Sequence, residues 1–267
     1  MTAAATDVGR RRTGNEDSFM LWNAPNGGAP RAADSLVIVC DGMGGSNAGE
    51  VASRMAVDTV VRVFAEAPPG NTAQALAHAV EVANEEIWEL SRTRSELNGM
   101  GTTCTALALK GDQVMVAHVG DSRAYLVREH RAMQLTTDHS LVAQLVARQQ
   151  LTPEEARHDP RRNVVTRSVG VGPDIEVDLV QVDEPLRAGD TLVLCSDGLH
   201  GQVSDDEIAG FAMGESLEGA CSDLIELANE RGGPDNITVA MLRFQKTAPP
   251  APPLMRWWQS LFGSRAQ

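Results

Sequence analysis

The chain has 267 residues, with 23 Lys plus Arg against 36 Asp plus Glu, and a formal net charge of −13. Hydrophobic residues make up 42% and charged residues 22%, which fits a folded domain with a sizeable core and excludes a disordered chain. So acidic a chain repels nucleic acid, no apolar run approaches the roughly 20 residues of a membrane-spanning helix, and Met1 to Arg12 lacks the apolar stretch of a secretory signal. A cytoplasmic protein is the expectation.

In chain order, the first strand expected is 35–40, SLVIVC, and a helix follows over about 48–65. Leu76, Val80, Ala83, Ile87 and Leu90 recur at helical spacing, with Thr72 as the expected N-cap. Residues 103–109, 113–119 and 123–128 read as strands joined by the turns Lys110-Gly111-Asp112 and Gly120-Asp121-Ser122, which predicts an antiparallel meander. Segment 137–172 is polar and Arg-rich, with a short helical stretch from Leu141 to Arg148, and reads as a lid or binding loop. A strand over 191–195 comes next. A helix carrying Leu217, Cys221, Leu224, Ile225 and Ala228 stops at Gly232-Gly233-Pro234, and a last strand covers 236–243. Strands in runs and helices in runs predict an α+β fold with antiparallel sheets. Residues 248–253, APPAPP, form a stiff spacer before a basic tail with Trp257 and Trp258. The expected division is therefore a domain over 1–245 and a tail over 246–267. The tail is expected to dock a partner or fold back onto the domain, to touch a membrane surface, or to stay disordered. The four cysteines, Cys40, Cys104, Cys195 and Cys221, form no Cys-x-x-Cys pair and are expected to be reduced and buried.

The chemistry gathers where apolar strands end in aspartate: Asp41 in CDGMGG, Asp121 in VGDSR, Asp197 in CSDGL and Asp235 in GGPDNIT. A carboxylate at a strand end is rigidly held yet reaches solvent, and a neighbouring glycine lets the backbone offer a carbonyl oxygen. Hard divalent cations take such oxygen ligands, and they relieve the repulsion among carboxylates brought together. Each of these dipeptides is also an ordinary turn former; it is the set of four that points to metal. Upstream, TDVGRRRTGNEDSF places arginines beside Glu16 and Asp17. A guanidinium near a metal cluster suits a phosphate between them, although Arg10, Arg11 and Arg12 also read as a solvated run.

These pieces together resemble the metal-dependent protein phosphatases of type 2C (PPM), bacterial branch. The resemblance covers about residues 2–244 and rests on TDVGRRRTGNEDS, VCDGMGGSNAGEVAS, MGTTCTALAL, VAHVGDSRAYLVR, LTTDHSLVAQLV, HDPRRNVVTRSVG, LVLCSDGLHGQV and GGPDNITV, in the family's order. It implies a four-layer α-β-β-α sandwich with two central antiparallel sheets and a flap, here 137–172, beside the metal site. It implies two core ions, Mn²⁺ or Mg²⁺: Asp41 bridges them, the Gly42 carbonyl binds one, and Asp197 and Asp235 complete the other. Asp121, with Asp197, matches the ligand of a third, weaker ion in bacterial relatives. Asp17 is implied at the edge of the cluster, ordering water, and Arg12 is implied to grip phosphate. Gly101, Thr102 and Thr103 match a strand-start motif read as structural.

The implied reaction is hydrolysis of phosphoserine and phosphothreonine by a metal-bridged hydroxide, erasing the marks of a cognate Ser/Thr kinase in signal transduction. One position departs from the pattern. Some members carry a histidine, assigned as general acid, two residues after the bridging aspartate; here it is Met43, which donates no proton. His139, His158 and His200 are donors by residue type only, and His118 reads as a core residue. Two rival readings remain at this point: a catalytically silent module that binds phosphoproteins, and a hydrolase of small phosphoesters.

Overall fold

In the computed structural model of the chain, residues 1–25, 31–44 and 48–245 are described. Side-chain alternation along the central strands sets the architecture. In β3 (Ser35–Met43), Leu36, Ile38 and Cys40 face one apolar cluster, while Val37 and Val39 face another. In β10 (Thr191–Cys195) and β11 (Ile237–Arg243) the same division holds: Val193, Cys195, Val239 and Met241 face outward to helices, while Leu192, Leu194, Ala240 and Leu242 face inward. A strand apolar on both faces must be covered on both, so the sheets stack face to face and each takes helices on its outer side. The expected four-layer α-β-β-α sandwich is what forms.

One sheet has the order β1 (Thr2–Asp7), β11, β10, β7 (Arg123–Arg128), β8 (Arg131–Gln134). The other runs β2 (Asp17–Asn23), β3, β5 (Cys104–Lys110), β6 (Gln113–Val119), β9 (Asp178–Gln181), with the two-residue β4 (Gly101–Thr102) paired to the end of β3. All of these pairings are antiparallel. Helices α1 (Ala48–Glu66) and α2 (Thr72–Thr93) cover the second sheet through Ala52, Val60, Val80 and Ile87. Helices α6 (Asp205–Ala212) and α7 (Leu217–Glu230) cover the first through Ile208, Leu224 and Ala228. The short helices α3 (Leu141–Ala147) and α4 (Pro153–His158) belong to the flap, and α5 (Asp197–His200) is a single turn after β10.

Two expectations fail locally. Strands β5 and β6 form the expected hairpin, but β7 does not continue a meander. Strand β9 takes the far edge of β6, and β7 pairs with β10 and β8 in the other sheet. The chain crosses between sheets at Gly120–Ser122. Gly120 has φ of +111°, and a Cβ there would collide with the side chain of Thr103, so glycine is the residue that permits the crossing. At α2 the N-cap is Asn71, whose side chain accepts from the Gln74 N–H. The Thr72 hydroxyl instead donates to the Ala32 carbonyl at 2.7 Å and ties the helix to the approach of β3. The four cysteines are free and buried, as expected. No helix among the described residues is long and apolar enough to cross a membrane. The spacer and tail expected from 246 on lie outside the described residues.

Candidate active site

The inward-facing alternation that carries Val37 and Val39 continues to Asp41. Asp17 lies directly opposite Asp41 in the β2–β3 register. Both carboxylates therefore enter the seam between the sheets at one end of the sandwich. Asp197 follows β10 by two residues and opens α5, Asp235 lies in the loop just before β11, and Asp121 sits in the crossing between the sheets. Strand ends from both sheets thus bring five of the predicted residues together.

Burial and mutual repulsion set their protonation. Asp41 is pushed well above the ordinary carboxylate range by burial, then by the charges of Asp17, Asp197, Asp121 and Asp235. Burial lifts Asp17 to about 7, with Thr238 and Ser196 opposing as hydrogen-bond donors. Asp121 rises to about 8 by burial and by the Asp197 charge, and Asp197 to about 6 by burial and the Asp235 charge. Such a set is costly without cations.

The supports come from neighbouring strands. The Asp41 N–H donates to Thr103 Oγ1 at 2.8 Å, and its carbonyl accepts from the Thr103 N–H and the Thr102 hydroxyl, so the strand-start threonines fix the end of β3. Asp17 lies deep in the seam beside Asp41. It is buried, and its Oδ2 accepts from Ser196 Oγ at 2.8 Å and Thr238 Oγ1 at 2.6 Å. Asp17 Oδ1 and Asp197 Oδ1 are buried without a hydrogen-bond partner. Gly42 is packed so closely that an added Cβ would fall on the carbonyl oxygens of Gly49 and Glu16.

Arg12 reaches the cluster from the N-terminal loop. Its Nη2 donates to Asp235 Oδ2 at 2.7 Å while half of the side chain stays exposed. No three acidic, histidine or cysteine side chains among the described residues surround one point closely enough to hold an ion as they stand. The donor set itself is of oxygen only, two of its atoms are orphaned, and it is short of positive charge; it suits a hard divalent cation.

The histidines divide by partner. His118 is buried; its Nε2 donates to the Thr137 carbonyl, and burial lowers it to about 4. His200 Nε2 donates to the Asp121 carbonyl at 2.9 Å, and burial lowers it to about 3, so the ring is neutral and committed to shaping the crossing. His139 accepts the Gly120 N–H at Nδ1 and bonds Asp178 through Nε2. His158 is exposed on α4. None is aimed at the carboxylates.

Sequence reasoning missed several supports. Asn236 takes the Glu16 N–H on Oδ1 and donates to the carbonyls of Val8 and Gly14, pinning the arginine loop to the start of β11. Ser196, Thr238 and Asp138 were also unmarked. Asp138 is gripped by Arg123 through Nε and Nη2, which holds it below the ordinary range against the opposing effect of burial. The only available signal was adjacency: Ser196 precedes Asp197, and Asn236 follows Asp235.

The flap covers the site. Between α3, α4 and the carboxylates lies a cavity of about 760 Å³, lined by Arg12, Asp121, Asp197 and Asp235 on one side.

A family model described as protein phosphatase 2C matches residues 10–237. The serine/threonine phosphatase stp of Listeria monocytogenes is 41% identical over 244 residues, covering 89% of this chain and 93% of that protein. The crystal structure of the Mycobacterium tuberculosis serine/threonine phosphatase PstP/Ppp superposes with a TM-score of 0.81 at 36% identity, over 92% of this chain and 98% of that one. The catalytic domain of the phosphatase PstP, solved with two manganese ions, gives 0.77 at 36% identity over 90% and 96%.

Proposed function

The chain belongs to the protein phosphatase 2C family, and from that premise we propose that it is a metal-dependent serine/threonine protein phosphatase that reverses the work of a cognate kinase. The observation that carries the reading is the convergence of Asp17, Asp41, Asp121, Asp197 and Asp235 at one end of the sandwich, with Asp17 Oδ1 and Asp197 Oδ1 buried and unpartnered.

Asp41, the Gly42 carbonyl, Asp197 and Asp235 are the residues that would hold two ions, Mn²⁺ or Mg²⁺, and Asp121 with Asp197 would hold a third more weakly. When bound, divalent ions of this kind supply a water that is deprotonated near neutral pH and an electrostatic sink for phosphate charge. The chain's own residues do the rest. Arg12 is half-exposed and exchanges Asp235 for the substrate phosphate, which its planar fork grips through two parallel hydrogen bonds. Asp17, fixed through Oδ2 by Ser196 and Thr238, keeps Oδ1 free to orient water. Met43 donates no proton, and His139 and His200 are committed to backbone and carboxylate partners, so solvent water protonates the leaving serine or threonine oxygen.

The test is hydrolysis of p-nitrophenyl phosphate and of a phosphothreonine peptide by the whole chain, in EDTA and in Mn²⁺, beside Asp197→Ala. Activity that needs Mn²⁺ and is lost in the variant is expected. A folded variant that retains near-normal turnover would overturn the assignment.

A further inference from the structure

The cavity beside the carboxylates extends well beyond what a phosphate group requires. Its volume of about 760 Å³ falls within the roughly 300–1,000 Å³ of pockets that enclose whole ligands. Its far wall is the flap. Val142, Ala143, Val146 and Ala147 lie on one face of α3, at i, i+1, i+4 and i+5, and Pro153 and Ala156 of α4 adjoin them. None of the six belongs to any of the three apolar clusters that hold the sandwich together.

The flap is fastened by other means. The Leu141 N–H donates to the Val164 carbonyl, Thr166 N–H to the His139 carbonyl, and Thr152 closes a capping box with Glu155. Apart from Val142, which is buried, its apolar face is therefore surplus to folding, and an apolar face that packing does not use is a recognition surface. The charges around it narrow the occupant. Arg11, Arg157 and Arg162 also line the cavity, and none has a carboxylate within ion-pair distance among the described residues. In a chain of net charge −13, a rim of three unpaired guanidinium groups favours an anionic polypeptide segment.

We infer that the flap side of the cavity is a side-chain subsite, with Val146 at its centre, that selects an apolar residue within a few positions of the phosphorylated one. This rests on the phosphatase reading above and adds to it which protein substrates are preferred. A pocket that reads alkyl bulk discriminates by about 10- to 200-fold.

The test compares phosphothreonine peptides that differ only in Leu or Ser at each of three positions on either side of the phosphoresidue. The readout is the Leu-to-Ser ratio of kcat/KM, for the whole chain and for Val146→Asn and Val146→Ile. Labelled phosphonate analogues of the same peptides give the corresponding ratio of Kd by anisotropy. At one position Leu is expected to win by about tenfold or more, by both measures. The ratio is expected to collapse in Val146→Asn and to survive in Val146→Ile. Because the readout is a ratio, a general loss of turnover does not mimic the effect. A flat ratio at every position, or one that Val146→Asn leaves intact, overturns the subsite. Failure to hydrolyse any peptide or p-nitrophenyl phosphate overturns the phosphatase reading instead, and the phosphonate Kd ratio still decides the subsite.

Discussion

The carboxylate end of the sandwich and the flap above it face the same cavity but are built on opposite principles. At the carboxylate end, strand ladders hold Asp17, Asp41 and Gly42, the other ligand candidates lie within two residues of a strand end, and polar side chains such as Thr103, Ser196 and Thr238 fill the gaps between them. The like charges assembled there are a cost that the surrounding core absorbs. In the flap, two short helices contribute no buried residue beyond Val142, and attachment runs through two isolated bridges, Ser140↔Val165 and Thr102↔Val169, through Val169, which is buried in the core of the second sheet, and through polar side chains at the root. The contrast teaches that reaction chemistry is placed where the backbone cannot yield, and recognition where it can.

That contrast breaks most sharply at the carboxylates. Asp197→Asn is expected to lower kcat by about 10³-fold while leaving the thermal midpoint in EDTA at neutral pH equal or higher, because a repelling charge is removed. Calorimetry beside steady-state kinetics checks both halves; a variant that loses activity by unfolding would sink the claim that the site opposes stability.

Arg12→Ala is expected to lower kcat/KM for phosphopeptides by about 10²-fold, carried mainly by KM, and Arg12→Lys to recover only part of it. Equal losses in Arg12→Ala and in Arg11→Ala would show that the loop supplies charge without a specific grip.

At the flap root, Asp138→Asn leaves the largely buried Arg123 without its carboxylate partner and is expected to cost about 2 kcal/mol, read by urea unfolding. The sharper readout is limited proteolysis, in which cleavage within 137–172 is expected to accelerate before global unfolding does. Uniform destabilisation would mean that flap and sandwich are one cooperative unit.

The smallest effect is the pH dependence of the metal-free chain. Asp17, Asp121 and Asp197 have folded values raised to about 7, 8 and 6, above the ordinary value near 3.9 of an unfolded chain. The folded state then holds more protons between about pH 4 and pH 8, so stability falls as pH rises through that window. In EDTA the thermal midpoint is expected to drop from pH 6 to pH 8, and saturating Mn²⁺ is expected to flatten the slope. A midpoint that rises with pH in EDTA would contradict the repulsion.

Much of the carboxylate end was legible in the sequence, because period-two alternation and strand-ending Asp-Gly pairs are local signals. Asp41, Asp121, Asp197 and Asp235 are all at the edges where they were expected. Asp17 was found, but nothing local says that its strand pairs so as to set it directly opposite Asp41. The crossing at Gly120–Ser122 was misread for a similar reason. Gly-Asp-Ser turns a chain equally well within one sheet or between two, and alternation carries no information about which strand is the partner. The Asn71 cap was missed because Asn and Thr are adjacent and both cap well. Asn236 and Arg12 act across more than 200 positions of sequence, a distance over which no local pattern speaks.

The pairing of β1 with β11, Thr2 against Leu242 through to Asp7 against Ile237, bears on how the protein comes into being. During synthesis the second sheet has all its strands once residue 181 has emerged, and it can begin to consolidate with α1 and α2. The first sheet waits for the last strand, with the opening residues of the chain held unpaired until then. Long-range closure of this kind is slow to form. The carboxylates are divided along the same line, since Asp17, Asp41 and Asp121 are delivered early and Asp197 and Asp235 late. A nascent chain, or one cut short within its final strand, therefore lacks a finished centre, and catalytic competence doubles as a certificate that translation has run through the whole domain.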